Sequence, residues 1–73
     1  MKEVEIPEQP VELYKILKFE SMVASGGEAK AVIAEGLVRV NGQVETRKRK
    51  KIMAGDQVEF ADEKVMICLK STD

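Results

Sequence analysis

Apolar residues in this chain recur with two different periods, and the change between them separates a helical first half from a stranded second half. Residues 2–6 alternate, with Val4 and Ile6 apolar between charged neighbours, which is the pattern of a short edge strand. Pro7 and Pro10 end that run and place a helix start near Val11. Over residues 11–20, Leu13, Tyr14, Ile16, Leu17 and Phe19 form one broad apolar stripe against Glu12, Lys15, Lys18 and Glu20, so a first helix is expected from Val11 to Glu20. The same stripe assigns Tyr14 and Phe19 to the core. Residues 21–24 leave room only for a turn. Ser25 followed by Glu28 then has the spacing of a capping box, in which the serine oxygen accepts from a free amide at the helix start and the glutamate reaches back to the serine amide. Ala29, Val32 and Ile33 follow on one face, and Gly36 supplies a left-handed stop. A second helix is expected from Gly26 to Glu35.

Beyond Gly36 the period drops to two. Val38 and Val40 share one face and Arg39 takes the other, and Asn41-Gly42 between alternating runs is the signature of a tight hairpin with a primed turn. Residues 46–51, TRKRKK, contain no apolar side chain and must be exposed. Ile52-Met53 returns to the core, residues 54–56 turn the chain, and Val58 and Phe60 mark a short strand. After a turn at Asp62-Glu63, Val65, Ile67 and Leu69 form the inner face of a last strand, and residues 71–73 form a frayed tail. With no repeat and no linker, the expectation is one α+β domain over residues 1–73, its core lying at about residues 11–69.

Composition narrows the function classes. A chain of 73 residues buries only about 60% of its unfolded surface, so its core is thin. The lone Cys68 rules out an intramolecular disulfide, and without histidine no zinc site of the usual kind can be completed, so no cofactor is expected. Cys68 lies between Ile67 and Leu69 and fits a structural thiol. Residues 1–10 resemble neither a signal peptide nor an anchor, and no apolar run is long enough to span a membrane, so a cytoplasmic location is expected. A cleft holding an acid-base pair or a nucleophile has little room to form here, and no phosphate-binding glycine loop is present; the chain is expected not to be an enzyme.

Charge changes the picture most. The net charge of −1 conceals a polarised chain: residues 1–24 carry −2, residues 52–73 carry −3, and residues 25–51 carry +4. Local potential rather than net charge steers a polyanion, and the run Arg47, Lys48, Arg49, Lys50 and Lys51 is the obvious site for one. A solvated loop is the plain alternative. Lys30, one turn into the second helix, and Arg39, on the outward face of the hairpin, are placed to extend the same patch. Gly26-Gly27 leaves helix-start amides uncrowded for a phosphate, although Ser25 and Glu28 could equally satisfy them. Asn41 could reach a ligand from the turn tip, yet its tolerance of positive φ accounts for it without one. With all three aromatics assigned to the core, no platform remains for stacking single-stranded bases. If the polyanion is RNA, what it offers this chain is therefore the phosphate path and shape of a folded stem or junction.

The order of these pieces resembles a known family. A leading helix, then SGGEAK, VI, EG and VNG, then a basic stretch and a GD-V turn and strand, is similar to the ribosomal-protein-S-four-type RNA-binding domain, and most of all to its short stand-alone bacterial members, the YbcJ-like proteins. The resemblance covers roughly Val11 to Phe60. It implies two N-terminal helices packed on a small, strongly bent, mostly antiparallel sheet (the alpha-L motif), with the helix-hairpin unit laid against structured RNA, ribosomal or transfer RNA among the candidates. Carried over by position, its contacts fall on Ser25, Lys30, Arg39, Asn41 and Arg47 to Lys51. Many members have an arginine directly after the serine, where this chain has Gly26. Two classes of function remain in view: an RNA-binding, ribosome-associated module, and an adaptor whose basic run docks an acidic protein partner.

Overall fold

In a computed structural model, which describes residues 1–70, the chain forms two helices and seven strands. Strand β1 is Lys2–Ile6, β2 Val11–Glu12, β3 Val38–Val40, β4 Gln43–Val44, β5 Lys51–Ile52, β6 Gln57–Phe60 and β7 Glu63–Leu69; helix α1 is Leu13–Phe19 and α2 Gly26–Ala34. Five strands make one mixed sheet in the order β1-β7-β6-β3-β4. Only β1 with β7 is parallel, Val4 lying opposite Ile67 and Ile6 opposite Leu69; the other pairs are antiparallel. Strands β2 and β5 form a separate two-stranded ribbon, Val11 opposite Ile52 and Glu12 opposite Lys51. The fold is α+β, as the pattern of residues implies, and residues 71–73, expected to form a frayed tail, lie outside the described residues.

One aliphatic cluster holds both helices to the sheet. Leu13, Ile16, Leu17, Ala29, Ile33, Val38, Ile52, Val58 and Ile67 are all fully buried in it. Its members follow the two periods. In α1 the spacing of Leu13, Ile16 and Leu17 makes a narrow stripe, and in the strands Val38 and Val40, Val65 and Ile67 alternate inward. Among the described residues no charged or polar side chain is buried. Stability therefore comes from the transfer and packing of branched aliphatics, each worth about 1.5–3 kcal/mol when fully removed from water.

The ends of the helices show how local chemistry fixes the path. The Glu28 amide donates to Ser25 Oγ at 3.1 Å, the serine half of the capping box. Glu28 Oε1 accepts from the Ala24 amide at 2.7 Å rather than from the Ser25 amide, so the reciprocal bond reaches one residue further back than expected. At the far end Gly36, φ +79°, closes a Schellman motif: Leu37 donates to the Val32 carbonyl and Gly36 to the Ile33 carbonyl. Helix α1 ends in the same way around Ser21, φ 56°, with Met22 donating to Leu17 and Ser21 to Lys18.

Several expectations are corrected. The first helix starts at Leu13, because Val11 and Glu12 are extended and pair with Ile52 and Lys51, a tertiary contact that a local helical period cannot reveal. Phe19 is 65% exposed: the stripe of Leu13, Ile16 and Leu17 is narrower than the run of apolar residues, and Phe19 falls off its edge. Tyr14 and Phe60 are half-buried at the margin of the core, not inside it. Met53 and Leu69 are exposed, whereas Val23, within the presumed plain turn, is buried. Asn41, φ 53°, and Gly42, φ 84°, form the primed turn as expected.

Candidate nucleic-acid interface

The basic run is a fixed structure. Its backbone is tied to the start of α1: Leu13 donates to the Lys50 carbonyl at 2.9 Å and Tyr14 to the Lys48 carbonyl at 3.1 Å, while the Lys50 amide closes a turn onto the Arg47 carbonyl. Helix α1 has no side-chain cap at Glu12, so two of its free amides are satisfied by the carbonyls of the basic loop. The helix start and the loop thus organise one another, and the β2–β5 ribbon anchors the loop's far end through buried Ile52.

The side chains of the run divide into two kinds. Arg47 forks onto Glu45, Nε to Oε2 at 3.0 Å and Nη2 to Oε1 at 3.2 Å, and its own amide also donates to Glu45 Oε2. Those bonds hold the Glu45 carboxyl at a pKa of about 2, far below its ordinary value, and keep the guanidinium protonated more firmly still. Arg49 approaches Glu12 at 3.7 Å, and Glu12 also meets Lys15 at 3.5 Å. Lys48, Lys50 and Lys51 make no ion pair among the described residues. The two arginines have carboxylate partners, and the three lysines supply the loop's unpaired charge.

With Ala34 of α2, residues 46–51 line an open depression of about 780 Å³. Lys30 reaches the neighbouring surface, its ammonium 4.8 Å from the centre of the Tyr14 ring, while the Tyr14 amide is the one bonded to Lys48. Lys30, Tyr14 and the basic loop are therefore contiguous. Tyr14, which its place in an apolar stripe assigns to the core, stands instead at the core margin beside Lys30 and the loop, a position that no local pattern marks.

The remaining candidates lie apart. Ser25 is at the opposite end of α2 from Ala34, about 13 Å along the axis at the rise of a helix, and its hydroxyl oxygen is engaged by Glu28. Added side-chain carbon at Gly26 would meet nothing within 4 Å, so that helix start is open, though Glu28 places a carboxylate beside it. Arg39 is exposed on the outer face of the sheet, opposite Val44 on one side and Glu59 on the other. Asn41 is used by the fold: its Nδ2 donates to Asp56 Oδ1 at 3.1 Å and its Oδ1 accepts from the Gln57 amide at 2.9 Å. Among the described residues no group of acidic, cysteine or histidine side chains is arranged to hold a metal ion, and no helix is long and apolar enough to cross a membrane.

Two helices packed against a mixed sheet, with a basic loop bonded to the start of α1, make up a small α+β domain. The chain belongs to the S4 domain family, whose model matches residues 4–68. It is 54% identical over 57 residues, 78% of this chain and 81% of the relative, to the "Putative RNA-binding protein YbcJ" of Escherichia coli (strain K12), and equally to the "Uncharacterized protein YbcJ" of Shigella flexneri. Its fold is similar to the solution structure of YbcJ from E. coli, described as revealing an alfaL motif involved in RNA binding, with a TM-score of 0.71 and 46% identity over 93% of this chain and 87% of that one.

Proposed function

We propose that this chain is a non-enzymatic, cytoplasmic RNA-binding protein that acts as one unit over residues 1–73 and recognises the phosphate path and shape of folded RNA of ribosomal or transfer type. The observation that carries the reading is the basic loop: residues 47–51 hold five positive side chains on a backbone pinned to α1, so binding need order only the side chains and not the loop backbone. Lys48, Lys50 and Lys51 meet phosphates, Lys30 extends the patch across Tyr14, and Arg39 flanks it on the hairpin. Ser25 and Asn41 contribute by shaping the helix start and the turn, since their polar atoms are already engaged. The relatives' description as RNA-binding supports the same reading.

The test is binding to a labelled stem-loop, an unstructured single strand and duplex DNA across a salt series, with a variant in which Arg47, Lys48, Arg49 and Lys50 are changed to serine. The stem-loop should bind best, and the variant should flatten the dependence of log affinity on log salt by about 0.7–0.9 per lost phosphate contact. Equal, weak binding by wild type and variant would remove the loop as an RNA site. Partner capture that persists after nuclease treatment would then favour the adaptor function.

A further inference from the structure

A second groove lies between strand β1 and helix α1, and carboxylates outnumber ammonium groups in its lining. It has a volume of about 460 Å³. Its exposed apolar lining comes from Pro7, Pro10 and Phe19, over the buried Ile6 and Ile16. Glu5, Glu8, Glu12 and Glu20 line it too, against two lysines, Lys15 and Lys51. Glu20 is paired with Lys2 at 3.0 Å and Glu12 with Lys15, whereas Glu5 and Glu8 are exposed and make no ion pair among the described residues. The Pro7–Pro10 wall is fastened from behind, since the Ala54 amide donates to Gln9 Oε1 at 2.9 Å.

The adjoining strand is an open edge. Strand β1 is the end of the five-stranded order and pairs only with β7. The Ile6 carbonyl accepts from Lys70, so the alternate residues Lys2, Val4 and Ile6 turn their backbone groups towards β7. Those of Glu3 and Glu5 then face outward along the groove, as a template for a further strand. An unpaired edge supplies backbone bonds to an extended chain, an adjacent apolar surface supplies an anchor point, and the charge of the rim selects the sign of the partner.

We infer that the β1–α1 groove is a docking site for an extended, basic polypeptide segment that pairs with the edge of β1 and places an apolar side chain against Phe19. RNA is disfavoured there because the unpaired carboxylates of Glu5 and Glu8 outnumber the one ammonium group unpaired among the described residues of the lining, that of Lys51. An acidic protein is disfavoured for the same reason. The inference does not depend on RNA binding by the loop, from which the groove is separate except at Lys51.

The experiment is an amide-resolved NMR titration of the whole chain with a short synthetic peptide of alternating lysine and leucine, alongside an all-lysine peptide and an alternating glutamate and leucine peptide. The lysine-leucine peptide should shift amides of residues 3–12 and 16–20 and leave those of residues 47–50 in place. Phe19→Ser, at a position already exposed, should weaken it about tenfold while stem-loop affinity is unchanged, and Glu5→Lys with Glu8→Lys should abolish it. Equal binding by the all-lysine peptide, an unaltered response in Phe19→Ser, or the same shifts on adding stem-loop RNA would each overturn the inference. So would the same shifts on concentrating the protein alone, which would assign the groove to a second copy.

Discussion

Glu45 shows how one side chain can set the geometry of a binding loop. Three donors of Arg47 converge on its carboxylate, which lowers its pKa to about 2. A group whose folded pKa is depressed stabilises the fold at pH values above its unfolded pKa, and that contribution is lost as pH falls from there through about 2. Following the Glu45 side-chain carbon by NMR should give a midpoint near 2 in the wild type and a return to the usual carboxylate range in Arg47→Ser; an unchanged midpoint would mean that the fork is not made in solution. Cys68 is shifted in the opposite sense. Burial raises its pKa, and Glu3, whose Oε1 lies 3.5 Å from the sulfur, adds to the effect together with the charge of Glu5. The thiolate is then scarce at neutral pH, so alkylation should be slower than in the unfolded chain, and Glu3→Gln should quicken it. An equal rate in that variant would leave burial and the charge of Glu5 as the causes.

At the scale of elements, the two helices end in the same motif with different residues at the left-handed position. Gly36 occupies it without steric cost, but Ser21 adopts φ 56° with a side chain attached. Ser21→Gly should raise stability by about 0.5–1 kcal/mol, and Gly36→Ala, with Val44 Cγ1 3.5 Å from the added carbon, should lower it by about 1–2 kcal/mol; urea unfolding reads both. These ends also mark what was legible in the sequence. Gly36 and Ser25 act through bonds within a few residues, and Asn41-Gly42 through the φ values of its own turn, so these consequences could be read directly, whereas the side-chain bonds of Asn41 to Asp56 and Gln57 could not. Val11-Glu12 could not, because its extended conformation depends on Ile52 and Lys51, forty residues away in the chain. The parallel partner of β1 was hidden for the same reason, while its strand character showed in the alternation of Val4 and Ile6. For the site, composition revealed the five charges of the loop, but only the fold shows that its arginines are tethered, that Tyr14 belongs beside Lys30, and that Phe19 faces outward.

For the molecule as a whole, the fold turns a polarised sequence into a polarised surface. The two acidic segments of the chain are drawn together by the β1–β7 pair, and the basic loop of residues 47–51 is held at the start of α1. A polyanion approaching such a dipolar particle is oriented before it makes contact, and the strength of that effect falls with salt. The division of labour within the loop gives this picture a sharp consequence. Lys48 carries charge with no carboxylate partner among the described residues, so Lys48→Ser should lower the salt slope of stem-loop binding by about 0.7–0.9. Arg47 is already neutralised in part by Glu45, so its phosphate contact is weaker and Arg47→Ser should lower the slope by less. Its affinity should still fall, because the loop loses the fork that shapes it and Glu45 is left uncompensated beside the RNA. Equal slope changes for the two variants would show that Arg47 leaves Glu45 for phosphate when RNA binds, and that its tether belongs to the free protein alone.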